Sequence, residues 1–118
     1  MASQQAKEPN ELLPLLVERV RQGDVDGLVD LFENDAVLDT GAGLVAGSAA
    51  IREFWSSFVA SGIPVEVGNQ TAALVNGDLA LTSTVMPDGG VTVEVARRQA
   101  DGSWRWVMDQ PSLPIFSE

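Results

Sequence analysis

The sequence predicts an α+β domain in which a curved, mostly antiparallel sheet buries one face on a layer of helices. Three observations carry that prediction. Helical spacing recurs three times in the first 62 residues, interrupted by one short apolar strand. Residues 65–109 then alternate strand and turn with no further helix. The turns between those strands, Asn76-Gly77-Asp78, Pro87-Asp88-Gly89-Gly90 and Asp101-Gly102, have the short chain-reversing chemistry of an antiparallel meander.

In chain order, residues 1–9 read as a loose tail. Asn10 can cap a helix that carries Leu13, Leu16, Val17 and Val20 on one face, with Pro14 tolerated near its first turn and Gly23 at its end. Asp24 can cap a shorter helix running to about Phe32, where Val25, Leu28, Val29 and Phe32 fall at helical spacing. Residues 36–40 form a short strand and Gly41-Ala42-Gly43 a turn. Ser48 caps the third helix, whose stripe of Ile51, Phe54, Trp55 and Phe58 is the most apolar in the chain and ends at Gly62. Four strands follow, at 65–75, 79–86, 91–99 and 104–109.

A length of 118 residues fits one domain, 1–118, with 45% hydrophobic and 20% charged residues marking it as globular. Seventeen acids against 7 bases give a net charge of -10, which argues against nucleic acid and against anionic membrane as partners. The start has no apolar core of signal-peptide length, and no run approaches the ~20 apolar residues that cross a bilayer, so the expected location is cytoplasmic. With no Cys, His or Tyr, the chain has no thiolate nucleophile, imidazole base or phenol donor, and no cofactor or metal site is expected. Acid-base work would fall to carboxylates, helped by Arg, Ser/Thr, Asn/Gln or Trp N–H groups.

Two segments carry a resemblance. LFENDAVLDTGAGLVAGSAAIREFWSSF, residues 31–58, resembles the helix, acidic strand, glycine and helix block of the SnoaL-like and ketosteroid-isomerase-like proteins of the NTF2-like superfamily, and DGSWRWVMDQPSLP, residues 101–114, resembles their closing strand. The resemblance implies a cone-shaped barrel with an internal pocket, often a homodimer through the outer face of the sheet. It also implies a small, largely apolar ligand, handled by a cofactor-independent isomerase, cyclase or hydrolase, or held by a non-catalytic binding module. Fold alone does not choose among these.

The candidate catalytic residues are Asp39 and Asp109. In ketosteroid isomerases a carboxylate following the acidic strand removes a proton beside a carbonyl; laid ungapped on that pattern, Thr40 takes the base position and Asp39 stands one residue earlier. A one-residue offset turns a side chain to the other face of a strand, so Asp39 reads equally as an Asx turn ending that strand. On the closing strand Trp104, Trp106 and Met108 share one face and Arg105, Val107 and Asp109 the other, which points Asp109 away from the core unless a bulge re-aims it. Cyclase-like relatives use an aspartate from this region.

Trp55, Phe58, Met86, Trp106 and Met108 form the expected apolar lining, though in sequence a core residue looks the same. The indole N–H of Trp55 or Trp106 could donate to a ligand oxygen or orient Asp39. Arg98 between Asp39 and Asp109 would reproduce the acid-arginine-acid arrangement of the epoxide hydrolases in this superfamily; adjacent arginines, Arg97 and Arg98, at a strand end are more simply solvated. Ala80, Thr82 and Thr84 are the residues expected on the dimer face. GDVDG at 23–27 lacks the later ligands of a calcium loop, and GAGLVAG at 41–47 lacks the spacing of a dinucleotide fingerprint.

Overall fold

The computed structural model describes residues 4–110. The helices are α1 (Leu12–Gln22), preceded by a single 3-10 turn at Pro9–Glu11, α2 (Val25–Val29) and α3 (Ser48–Ser61). The strands are β1 (Phe32–Asp39), β2 (Leu44–Ala46), β3 (Asn69–Gln70), β4 (Leu74–Asn76), β5 (Leu79–Val85), β6 (Val91–Arg98) and β7 (Trp104–Gln110). They make one sheet in the order β2-β1-β7-β6-β5-β3, with β4 also on β5. Every pairing is antiparallel except β1 with β7. The expected α+β class and meander are present.

The helical stops follow local chemistry. Gly23 takes a left-handed conformation, φ 68°, and its N–H bonds back to Val20, which ends α1 where the sequence places the break. Asp24 then accepts the N–H of Gly27 at 2.9 Å and starts α2. At α3 the cap position belongs to Gly47, and Ser48 is already helical.

Tertiary pairing moves several other boundaries. Phe32, at helical spacing from Leu28, begins β1 instead of ending α2, because it pairs with Trp106 of β7. The apolar triplet after the glycine turn folds back on β1 as β2, with Val37 opposite Ala46 and Asp39 opposite Leu44. The strand expected over 65–75 is broken into β3 and β4, both on the same edge of β5. Asn10 explains the break: its Oδ1 accepts the N–H of Ala73 and its Nδ2 donates to the carbonyl of Thr71, both at 3.0 Å. Asn10 is therefore a cross-link between the 3-10 turn and the sheet edge, not a helix cap.

The first three residues of the expected tail lie outside the described residues, and so do 111–118. The rest of that tail is docked. Ala6 is fully buried and forms an antiparallel bridge with Trp104, whose N–H donates to the Ala6 carbonyl at 2.8 Å.

The core lies between α1, α3 and the concave side of the sheet. Leu12, Leu16, Leu28, Ile51 and Trp55 meet Phe32, Leu38, Trp104 and Trp106 there. Phe32 sits between the two inner tryptophans, 5.3 Å from the Trp106 ring and 6.4 Å from that of Trp55.

On the meander the faces are opposite to those expected for dimerisation. Ala80, Thr82 and Thr84 are buried at 2%, 2% and 3% exposure and face inward, whereas Leu79, Leu81 and Val85 stand outside at 42–43%.

Candidate functional site

Toward one end of the sheet the core opens into a cavity of about 1030 Å³, walled by α1, α3, the end of β1, residues 63–68 and the inner face of β5 to β7. Its floor is set by strand register. On β6, Thr92, Glu94 and Ala96 alternate with Val91, Val93 and Val95, and the antiparallel pairing puts Glu94 opposite Thr82 on one side and Asp109 on the other.

A bulge in β7 brings Asp109 there. Ala96 of β6 pairs with Trp106, but the next residue, Val95, pairs with Met108, so Val107 is an extra residue in the closing strand. After it the alternation inverts. Trp106 faces in, Met108 turns out with 52% exposure, and Asp109 turns in beside Leu38 and Glu94 to line the cavity. Met108, expected in the lining, belongs to the outer face; Asp109, whose strand parity pointed outward, belongs to the inner one.

Asp109 is partly accessible, but its open side meets the cavity and protein atoms crowd the rest. Burial, and second the nearby Glu94, push its carboxyl up to about 7. Glu94, 7% exposed, also lies above the usual carboxylate range because of burial, opposed by hydrogen bonds from Thr82 and Thr92. The Thr82 hydroxyl donates to Glu94 Oε1 at 2.7 Å. A carboxyl near neutrality in an apolar enclosure can both take and return a proton at physiological pH.

The structure resolves the choice of roles for Asp39 differently. Its Oδ1 accepts the N–H of Gly41 at 2.9 Å, an Asx turn closing β1. It also borders the cavity, as does Thr40, whose hydroxyl donates to the Gly43 carbonyl at 2.9 Å. The inward residues of β1 are Phe32, Ala36 and Leu38, so the inward parity falls on Thr40 and not on Asp39.

Trp55, Phe58, Met86 and Trp106 line the cavity, together with Phe54. Neither the Trp55 nor the Trp106 indole N–H has a hydrogen-bond partner among the described residues, and the carboxylate of Asp39 is held by Gly41 instead. The arginines stand apart: Arg97 pairs with Glu33 at 3.0 Å, and Arg98 pairs with Asp78 at 2.6 Å while lying over Trp104. Arg98 does not join Asp39 and Asp109. Among the described residues no three acidic side chains converge in a way that could hold a metal ion.

Sequence reasoning passed over Glu94. Its only signal is the alternation of Thr92, Glu94 and Ala96 against three valines, and the usual rule assigns the valines to the interior.

This arrangement of three helices on a sheet with a cavity under its curved face has counterparts among known proteins. The sequence model for the SnoaL-like domain matches residues 15–108. The chain belongs to the SnoaL-like family. Solved structures show that this SnoaL-like chain has the fold of NTF2-like proteins. An NTF2-like protein of unknown function from Pseudomonas putida is similar with a TM-score of 0.69 and 21% identity, covering 92% of this chain and 86% of that one. An NTF2-like protein with a cystatin-like fold from Novosphingobium aromaticivorans gives 0.66 and 22%, covering 91% and 80%. A protein provisionally described as a ketosteroid isomerase, from Shewanella frigidimarina, gives 0.70 and 11%, covering 86% and 92%. At these identities the likeness is one of fold. No helix among the described residues is long and apolar enough to cross a membrane.

Proposed function

We propose that this SnoaL-like domain encloses a small, largely apolar molecule and moves a proton on it, with Asp109 as the base and acid. The observation that carries the reading is an inward carboxyl held near 7 in a cavity walled by Trp55, Phe58, Met86 and Trp106. That value puts the group close to the working pH, where general acid-base catalysis is most efficient and contributes about 10²–10⁴-fold. Burial first, and Glu94 second, keep Asp109 from ionising early. The reaction class that fits is a cofactor-independent isomerisation or cyclisation through an enol. Asp39 has no part in this chemistry beyond shaping the rim.

Two measurements test it. Carbon NMR of the Asp109 carboxyl should show titration near 7, and deuterium uptake beside the carbonyl of β-tetralone in heavy water should fall about 100-fold in Asp109→Asn. An ordinary carboxylate titration near 4, or equal uptake by the two proteins, would remove Asp109 from the mechanism.

A second element of the proposal concerns the outer face of the sheet. Leu74, Leu81 and Met108 lie across β4, β5 and β7 in paired register with Val95, exposed at 69%, 42% and 52%. An exposed apolar face of this kind supports a dimer of two copies through the sheet. Sedimentation at micromolar concentration should give the mass of two chains, and a single-chain mass would refute it.

A further inference from the structure

The charged groups on the cavity floor, Glu94 and Asp109, are of one sign. Glu94 and Asp109 are cross-strand neighbours, and when ionised each carboxylate is acceptor-only. On the next rung of the sheet Thr84 pairs with Thr92; Thr84 is 3% exposed, lines the cavity, and its hydroxyl has no hydrogen-bond partner among the described residues. Among the described residues no cationic side chain reaches this floor. Around the whole cavity the ionisable residues are Glu18, Asp39, Glu66, Glu94 and Asp109 against Arg21, which stands at the exposed rim.

The other cations are committed elsewhere. Arg19 is buried, donating to the carbonyls of Gly27 and Gln4. Arg52, Arg97 and Arg98 are paired with Asp26, Glu33 and Asp78. Neither Lys7, the chain's lysine, nor Arg105 borders the cavity.

We infer that the cavity takes its ligand through a protonated amine, an apolar molecule with a basic nitrogen seated between Glu94 and Asp109 under the aromatic wall. The inference rests on the cavity being the ligand site. Complementarity argues for it on three counts. An ammonium brings up to three donors to a floor with acceptors to spare. Its charge replaces the countercharge that the two buried carboxyls lack, and bound as a cation it leaves both ionised, their protons released to solvent. The aromatic residues Trp55 and Phe58 in the wall favour a desolvated cation over a neutral group of the same shape. An anionic ligand of equal size meets two like charges there, with only the neutral donors of Thr84, Trp55 and Trp106 to set against them.

Isothermal calorimetry on the whole protein at pH 7 tests this with three molecules of one skeleton: dehydroabietylamine, the matching alcohol dehydroabietinol, and dehydroabietic acid. The expected order is amine at least tenfold tighter than alcohol, with the acid weakest. Asp109→Asn and Glu94→Gln, each checked for folding by circular dichroism, should weaken the amine at least fivefold more than the alcohol. An alcohol that binds as tightly as the amine overturns the inference and leaves an apolar ligand site standing. An amine preference unchanged in both variants also overturns it, because the preference then comes from the net charge of -10. If none of the three binds, the inference and the ligand site fall together. Proton transfer can fail on β-tetralone while the amine preference holds, so catalysis and ligand class are judged separately.

Discussion

The two faces of the meander differ in a direction opposite to the ordinary one. In a sheet with one side packed and one side wet, the apolar residues go in. Here the cavity end of the inner face presents Thr82, Thr84, Thr92, Glu94 and Asp109, while the outer face presents Leu79, Leu81, Val85 and Met108. Further along the same strands the normal rule returns, and Ala80, Ala96, Trp104 and Trp106 pack on the helices. Trp106 also borders the cavity and Leu79 stands outside beside inward Ala80, so the apolar outer face runs along β5 while the polar inner positions gather around Glu94. Interior polarity of this kind costs stability unless it is hydrogen-bonded, and the fold retains it where a ligand can reach.

Substitutions on the two faces should separate these roles. The largest effect is expected where the inner face is still core: Trp106→Ala removes a 2%-exposed side chain packed 5.3 Å from Phe32, and urea denaturation should show a loss of about 4 kcal/mol.

Next comes Asp109→Asn, whose effect depends on pH. The carboxyl is raised in the folded state from an ordinary 3.8 to about 7, so the folded protein holds that proton more tightly than the unfolded chain. Asp109 thus makes stability decline as pH rises from about 4 to about 7, with no further change above. The asparagine protein should lack that decline and be more stable than the parent at pH 8 by about 2 kcal/mol, discounted from the full shift because Asp109 is partly accessible. Denaturation curves at pH 4 and pH 8 check it; a parent whose stability rises across this window would contradict the assignment.

A smaller loss is expected from Thr82→Val, which deletes the 2.7 Å hydrogen bond to Glu94. It should cost about 1 kcal/mol at pH 8, less in acid once Glu94 is neutral, and it should raise the Glu94 titration seen by NMR. Leu81→Lys on the outer face should change single-chain stability by less than about 0.5 kcal/mol. If the sheet face joins two copies, the same substitution should halve the mass measured by sedimentation.

The sequence was most legible where local chemistry decides. Gly23, Asp24 and the Asn76-Gly77 turn do what their residue types require, and Trp104 and Trp106 face inward as their alternation implies. It was least legible where a partner strand decides. Phe32 suits a helix by spacing, and only Trp106, 74 positions later in the chain, draws it into β1. Ala6 looks like tail until Trp104 supplies a bonding partner. The cavity floor was not legible for a different reason: alternation locates two faces without saying which is inside, and Ala80, Thr82 and Thr84, expected on the dimer face, form the inner one. Asp39 was visible as a carboxylate at a strand end; its hydrogen bond to Gly41 was one of two outcomes its sequence allowed.

Val107 carries a consequence for comparing this chain with its relatives. One inserted residue sets the phase of everything after it in β7, so Met108 and Asp109 exchange compartments without either being replaced. A relative with the same residues but no bulge would spell the same closing motif yet turn a thioether into the cavity and a carboxylate to the outer face. Gain or loss of an acid in this pocket thus needs neither a substitution nor a change of length, only a change of pairing at Val107, and roles carried across an ungapped alignment to an unbulged strand would land on the wrong side of the sheet.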